Sequence, residues 1–547
     1  MAYTGELLLQ RYNKLLNRHQ TNRNIMSEIA FYFDPDNFQY SNEVSPGGDR
    51  NNDHEYKNLL YDTTCRDYKD ELVDFTLGRI IDPSFSWLKL MPADPSILAM
   101  NTPEATSLKI GLGQLEEQFA QVLSASSFYP EATQWYENGG DYGFGACSIY
   151  PKKSSNKLHI RAENPFHIVF DEDDSKNVNE VFFESVMTGS QILSKFGEEK
   201  FIKLIKKAED ETIVSIRADS VNSDDVLRLH KEYRVVTGYI KHKEIWKEFC
   251  VDRKSHCVLR EENREYNPCI VYRMDRSSSL FGKGWGKKCL ERAITLDKIK
   301  HDFFRASNWA VNPVWQIMDD EQIPDEVNPG DRLYGDLAAG DLIKPANMNI
   351  RPEYALQAYE IEREASKKAF KIDAFDFQKK EKQSIAEISE FASMRNVKVS
   401  RFVYRFITEG LVPFLRSAYY IAVQQGIIVK PESIQNVPIK IDIVSPLFAQ
   451  QRYNKITNVT RAFQASAPAT EVDPAARHMI NGKRLVSDIF SEFGLANVLN
   501  TEDEADAKAE EEKQATMQGI DSKAAKDRAD AEKSLATAEQ IKNEGKK

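Results

Sequence analysis

Two long amphipathic helices flanking a short turn-rich segment constrain this 547-residue chain more than any other feature. Beyond Gly286, Leu296, Ile299, Phe303, Ala306 and Ala310 repeat at spacings of 3, 4, 3 and 4 along one face, while Lys287, Glu291, Lys298 and Arg305 follow another. Glycines within 282–286 release the chain into this helix, and Asn312-Pro313 ends it, because proline forces the preceding residue out of the helical region. The pattern runs for about 25 residues, or about 37 Å at 1.5 Å per residue. A second helix, over 352–374, carries Ala358, Ile361, Ala365, Ala369 and Ile372 on one side and Glu360, Glu364, Lys368 and Lys371 on another, with Glu364 four residues before Lys368. Between them, 314–351 has the turn signals VNPGDR and AAGD and reads as a small β-rich knob. A lone helical hairpin of that length is marginal. The small residues Ala306, Ala310, Ala358, Ala365 and Ala369 suit close packing against other copies, so oligomerisation is the economical explanation and a two-domain hinge the alternative.

Before this hairpin, helices are expected over 5–31, stopped by Asp34-Pro35, then over 56–80, 103–125 and 130–138. The glycines of 139–145 lead into a strand over 146–150. From 158 to 184 the texture changes to β-branched and aromatic runs around the acidic turn 171–179, a hairpin signature. Similar runs over 226–233, 239–249 and 269–273 bracket a helical 190–206, so the middle reads as α+β with an antiparallel sheet. After the second long helix come a Lys-bearing polar segment, FDFQKKEKQSIAEIS, and a helix over 384–425 with a kink expected at Pro413. A strand pair over 432–444 returns to the sheet, and helical patterning resumes at Gln450. The segment 501–547 has 13 acidic and 9 basic residues and almost no apolar stripe, which suits a solvated helix or disorder.

With 41% hydrophobic and 29% charged residues, wholesale disorder is excluded. A formal charge of −11 disfavours a protein that clamps nucleic acid over its general surface. The uncharged stretch 417–429 is too short and too polar to span a bilayer, and the N-terminal sequence lacks a basic start followed by an apolar core, so a cytoplasmic site of synthesis is expected. Cys65, Cys147, Cys250, Cys257, Cys269 and Cys289 include no C-x-x-C pair and read as reduced, buried thiols. His242, Cys250, His256 and Cys257 cluster in sequence, but their spacing fits no zinc template. FGKGWGKK, from Phe281 to Lys288, fails the phosphate-loop spacing, and its glycines are expected to serve the turn into the helix. DEDDSKNVNEVF matches a calcium loop only in its opening, with Lys176 at the sixth position and Phe182 at the twelfth, and reads as a hairpin turn. No nucleophile or metalloprotease motif is present; neither enzymatic activity nor a cofactor is expected.

Five segments in order carry a resemblance: NRNIMSEIAFYFDP (Asn22 to Pro35), YDTTCRDYKDELVDFTLGRIIDPSFSWLKL (Tyr61 to Leu90), NPFHIVFDED (Asn164 to Asp173), PCIVYRMDRSSSLFGKGWGKKCLERAITLDK (Pro268 to Lys298) and QSIAEISEFASMRN (Gln383 to Asn396). This set resembles the head-to-tail connector, or portal, proteins of short-tailed bacteriophages. Phe281 stands where that family usually has Tyr, and Leu88 where an aromatic residue commonly follows Trp87.

The resemblance implies a mainly helical α+β portal-like fold assembled as a ring of twelve copies at one capsid vertex, with double-stranded DNA passing through its channel during packaging and ejection. It implies a wing over 1–285, stem helices over 286–313 and 352–376, a clip over 314–351, a tunnel-loop region over 377–384, a kinked long helix with return to the wing over 385–449, crown helices over 450–500 and the charged tail 501–547. Partners implied are the packaging ATPase (terminase), a tail adaptor, and capsid and scaffolding proteins; the setting is the virion, assembled in the host bacterial cytoplasm, with no membrane. A twelvefold ring would carry about −132 formally, so its field would repel phosphate and let a duplex slide. Cations that could centre DNA at the narrowest point are Lys379, Lys380 and Lys382, with Lys298, Arg305, Lys367, Lys368 and Lys371 as further channel-lining candidates that could instead pair between copies. The competing functions are an internal virion or scaffolding protein without a channel and, from the enzyme class, a DNA-packaging protein.

Overall fold

A computed structural model of the chain describes residues 4–35, 37, 60–83, 87–94, 103–152, 157–209, 223–276, 279–311, 315–317, 332–334, 343–345, 351–372, 402–431, 434–435 and 437–443. In chain order the elements are α1 (Gly5–Phe33), α2 (Thr64–Leu77), β1 (Leu88–Pro92), α3 (Pro103–Ser124), α4 (Phe128–Tyr142), β2 (Phe144–Lys152), β3 (Lys157–Glu163), β4 (Ile168–Glu172) and β5 (Val178–Thr188). There follow α5 (Gly189–Phe196), α6 (Glu198–Glu209), α7 (Ser223–His230), β6 (Glu232–His242), β7 (Ile245–Asp252), β8 (Val258–Arg264), β9 (Cys269–Arg273) and α8 (Trp285–Val311). The chain continues through β10 (Trp315–Ile317), β11 (Arg332–Tyr334), β12 (Ile343–Pro345), α9 (Pro352–Ala369), a π-helical turn (Phe406–Leu411), α10 (Val412–Gln424) and β13 (Ile439–Ile443). The fold is α+β.

Two compact units divide the chain. The first comprises Met1–Lys89, Glu117–Val429 and Ile441–Gln450; the second comprises Leu90–Glu116, Lys430–Lys440 and Gln451–Lys547. Within the second, the Leu90 N–H donates to Glu116 Oε1 at 2.6 Å and the Ala93 N–H to the Pro438 carbonyl at 2.8 Å.

In the first unit, β4-β5-β6-β7-β8 form a five-stranded antiparallel sheet with helices on both faces. Successive strand residues point to opposite faces, and β6 shows this directly. Val236 joins Leu8, Leu9, Tyr12 and Leu15 of α1, whereas Val235 joins Ile192, Phe201, Leu204 and Ile205 of α5 and α6. Arg11 of α1 fixes the register against the sheet by pairing with Asp171 at 3.0 Å and Glu180 at 2.8 Å. A second antiparallel sheet, β3-β2-β9, packs on α4, and a small third sheet sets β10 between parallel β11 and antiparallel β12.

The structure departs from the sequence expectations at several elements. The helix expected from 56 begins at Thr64 in the described part; residues 60–63 are not helical, and the Tyr61 and Asp62 N–H groups bond instead to Asp297 of α8. The run 226–233 is not one strand: residues through His230 complete α7, where Leu229 enters the α5–α6 core, and β6 starts at Glu232. Gly197, at φ +88°, splits the helix expected over 190–206 into α5 and α6. The hairpin around 171–179 consists of β4 and β5, whereas residues from Lys157 to Glu163 belong to the other sheet. The run 239–249 is itself a hairpin turning at Lys243 (φ +56°), and β8 adds a strand that the sequence pattern does not signal. The bend expected at Pro413 takes the form of the preceding π turn, in which the Val412 N–H donates to the Ile407 carbonyl, five residues back. Among the described residues of 432–444, where a returning strand pair is expected, one strand, β13, is present, and it pairs with β1. The crown and the charged tail lie outside the described residues.

The glycines corrected most sharply are those of 139–145 and 282–286. Gly139 and Gly140 are helical, inside α4, and only Gly143 (φ +87°) ends it. None of Gly282, Gly284 or Gly286 has positive φ; they allow close backbone approach. A Cβ on Gly284 would lie 1.8 Å from the Gly140 carbonyl oxygen, and one on Gly140 would lie 1.7 Å from the Trp285 ring. The segment that looked like a phosphate loop is therefore a glycine-to-glycine contact seating the first turn of α8 on α4. Gly140→Ala overpacks this contact and is expected to destabilise the protein by about 1–3 kcal/mol. An unchanged thermal unfolding midpoint would contradict that packing.

Candidate functional site

The hairpin of α8 and α9 is tied to the unit at its root and left open beyond it. Trp285, 1% exposed, begins α8, and its Nε1 donates to Asp141 Oδ1 at 2.7 Å. Lys69 of α2 donates to Asp141 Oδ2 at 3.1 Å and to the Phe33 carbonyl at 3.4 Å. Burial alone would lower the Lys69 ammonium, but Asp141, Glu137 and Asp34 around it more than reverse this and raise its pKa. One buried lysine thus faces three carboxylates. Burial pushes Glu137 up to about 7, opposed by Lys69 and reinforced by Asp141, Asp70 and Asp34.

Further along α8, Cys289, Leu290, Ala293 and Leu296 are buried, and Arg292 pairs with Glu362 of α9 at 2.8 Å. Next comes the carboxylate of Asp62, just before α2. It accepts hydrogen bonds from the Thr64 N–H at 2.9 Å, the Thr64 hydroxyl at 3.2 Å, the Tyr359 hydroxyl of α9 at 2.7 Å and Lys300 Nζ of α8 at 3.1 Å. Asp297 of α8 accepts in return from the Tyr61 and Asp62 N–H groups at 2.6 and 3.0 Å. Burial would raise the Asp62 pKa; the bonds from Tyr359, Thr64 and Lys300 outweigh it and lower it. The YDTT run quoted above therefore joins three helices at one carboxylate.

Beyond Leu296, no residue of α8 is buried, and on α9 burial is confined, among residues whose exposure is described, to Ser366 near its C-terminus. Phe304, Val311, Tyr354 and Ile361 are 48%, 77%, 62% and 70% exposed. The face of α9 turned to α8 carries Tyr359, Glu362 and Ser366; of the stripe Ala358, Ile361 and Ala365, the first two are exposed and Ala365 is half-buried. α9 ends at Ala369, short of the expected 374, because Phe370 is buried against Phe33 and Tyr68 and Lys371 adopts φ +64°.

A second junction ties the π turn to the sheets. The guanidinium of Arg273, 1% exposed, donates to Glu172 at 2.5 Å, to the Lys176 carbonyl at 2.8 Å and, through Nε, to Glu409 of the π turn at 2.7 Å. Arg276 shares Glu172, and Arg405 shares Glu409. The calcium-loop-like segment is a hairpin turn with Lys176 at φ +64°, and its carbonyl serves this arginine.

The residues singled out for DNA are dispersed. Lys298 and Arg305 are exposed on the outer half of α8; Lys367 and Lys368 lie in the last turn of α9, with half-buried Lys371 just after it. Lys379, Lys380 and Lys382 lie outside the described residues. All six cysteines are buried and unpaired, whereas His242 and His256 are exposed. Among the described residues no group of three or more His, Cys, Asp or Glu could hold a metal ion, and no helix is long and apolar enough to cross a membrane. The Asp62 and Arg273 junctions were missed as such; both lie in segments that carried the family resemblance.

A mixed fold with a root-anchored helical hairpin has a family counterpart. The family model for bacteriophage head to tail connecting proteins matches residues 6–498, and the chain belongs to that family. It is a portal-type component of a phage virion. No curated protein matches the chain.

Asp62→Ala strands the Lys300 charge and the Thr64 N–H and is expected to cost roughly 2–4 kcal/mol, against about 1 kcal/mol for Tyr359→Phe. Because the folded pKa of Asp62 is lowered, its contribution is present above the unfolded value of 3.8 and lost as pH falls through the folded one. Equal melting curves for the wild type and Asp62→Ala at pH 7 would contradict the junction. Glu137 has the opposite sign: its raised folded pKa favours the folded state fully below 4.5, and that contribution is lost as pH rises through about 7. Glu137→Gln is therefore expected to gain on the order of 1–2 kcal/mol over the wild type at pH 8 and much less at pH 5. A pH-independent difference would contradict this.

Proposed function

We propose that the protein is the portal of a short-tailed phage, a ring of twelve copies whose channel carries double-stranded DNA into the capsid during packaging and out during ejection. In this reading 1–285 form the wing, 286–313 and 352–376 the stem, 314–351 the clip, 377–384 the tunnel loop, 385–449 the kinked helix and its return to the wing, and 450–500 the crown. The clip docks the packaging ATPase and later the tail adaptor; the crown and wing meet capsid and scaffolding proteins. The ring is a structural conduit rather than an enzyme, and it assembles in the host bacterial cytoplasm.

The observation that carries this reading, beside family membership, is the open half of the hairpin. Phe304, Val311, Tyr354, Leu356 and Ile361 are large, apolar and exposed on two helices of one chain. Such a surface is explained by neighbouring copies. The formal charge of −11 per copy suits a channel past which phosphate slides. Lys379, Lys380 and Lys382 are the cations assigned to the narrowest point, and Lys367, Lys368 and Lys371 to the adjoining stem.

The purified protein is expected to sediment as closed rings of about 750 kDa, twelve times 62.6 kDa. A monomer at micromolar concentration in low salt would contradict the assembly. Replacing Lys379, Lys380 and Lys382 together by Ala should leave rings intact while changing DNA retention in an in vitro packaging assay; unchanged packaging would remove their role.

A further inference from the structure

Four helices meet at a buried charge cluster under the foot of α8, and the charges there do not balance. Lys69 of α2 is buried and faces Asp34 at the end of α1 together with Glu137 and Asp141 of α4. Its ammonium donates to Asp141 Oδ2 at 3.1 Å and to the Phe33 carbonyl, which closes α1. Asp141 lies in the last turn of α4, so two helix C-termini add their partial negative charge to the same place. The other groups facing the cluster are Asp70 of α2, itself flanked by Arg66, Asp67 and Asp74, then Tyr142 at the end of α4, Tyr272 of β9 and the Trp285 indole of α8. Three carboxylates and two helix ends thus stand against the Lys69 ammonium.

The three carboxylates are not held alike. Asp34 accepts from the Tyr142 hydroxyl at 3.0 Å and from Asn37 Nδ2 at 2.6 Å, and Asp141 accepts from Lys69 and, at 2.7 Å, from the Trp285 indole. Such bonds favour the ionised form. The Glu137 carboxyl accepts none among the described residues. Like charges gathered in a buried site do not all ionise, and the group without donors is the one that keeps a proton. Burial acts in the same direction, pushing Glu137 up to about 7, with Asp141, Asp70 and Asp34 adding to it and Lys69 opposing. Asp141 is raised by burial as well, to about 6, where Lys69 and the Trp285 bond hold it below Glu137.

We propose that the foot of α8 is a proton-linked seat, closed while Glu137 carries its proton and loosened once Glu137 ionises, with Asp141 and Trp285 as the link. The route is short. Ionised Glu137 competes with Asp141 for Lys69, and Asp141 is left buried with less of its counter-charge. An undercompensated charge in such a site is costly, and lifting Trp285 admits water to it. The contact of Gly140 with Gly284 leaves no slack beneath that first turn, so the foot has a seated and a lifted position rather than a continuum. Because the seated form binds the proton more tightly, seating is favoured fully below 4.5, and the advantage is lost as pH rises through about 7. The root of the α8–α9 hairpin thereby responds to pH across the neutral range. One chain suffices for this response, whether or not copies assemble.

Hydrogen exchange of the full-length protein, read by mass spectrometry and corrected for the intrinsic pH dependence of amide exchange, measures opening of this foot. Peptides over 285–296 are compared with peptides from β6 and β7 between pH 5 and pH 8. In the wild type, opening of the foot is expected to rise about tenfold or more over that range, the signature of one linked proton, while the strands stay unchanged. Glu137→Gln keeps the shape of the side chain in a form that does not ionise, and its foot should stay near the wild-type pH 5 level with a much flatter profile. A wild-type foot that opens equally at pH 5 and pH 8 would overturn the proposal, as would a rise of the same size in the strands or in Glu137→Gln.

Discussion

One carboxylate determines how the long helices leave the rest of the chain. Asp62 is held by the start of α2, by Lys300 of α8 and by Tyr359 of α9, and it is the last firmly buried group along the hairpin. Below it, Trp285, Cys289, Leu290, Ala293 and Leu296 pack in the ordinary way. Above it Tyr61 still touches His301 and Phe304 of α8, and no residue of α8 is buried. A buried charge with satisfied partners gives direction more than stability, since desolvation offsets much of the attraction. That suits a rod that must leave at one angle in every copy.

The same logic recurs at Arg273. Its guanidinium joins β9 to the β4–β5 turn and to the π turn ahead of α10. A π turn is an irregularity that a helix keeps only where its surroundings hold it, and here Glu409 fixes it from outside while Gly410 lies against Trp135. Asp62 and Arg273 thus orient the two helical segments on either side of the lysine-bearing stretch 377–384.

Much of this fold was legible in sequence where local chemistry decides it. Pro313 and Pro352 bound the two long helices because proline acts through its own backbone, and the end of α1 at Asp34-Pro35 follows for the same reason. The resemblance carried by the YDTT and FGKGWGKK segments also led to the right family. What failed was what only packing decides. Gly284 reads as a turn glycine because its contacts, Gly139 and Gly140 of α4, lie more than 130 residues away. β8 was missed because Arg260, Glu261, Glu262, Asn263 and Arg264 look like a surface loop; their guanidiniums pair with Glu248 across the strand, which makes a polar edge strand possible. The Asp62–Tyr359 bond spans 297 positions, and no spacing rule reaches that far. The stripe Ala358, Ile361 and Ala365 is legible as apolar, but within one chain Ala358 and Ile361 stay exposed and Ala365 is only half-buried.

The account turns on whether the open half of the hairpin is covered by other copies. Hydroxyl-radical footprinting of Phe304, Tyr354 and Ile361, in dilute monomer and in assembled particle, reads this at the side chains themselves. Strong labelling of the monomer with protection in the particle is the predicted result. Equal labelling of all three in both states would contradict the account.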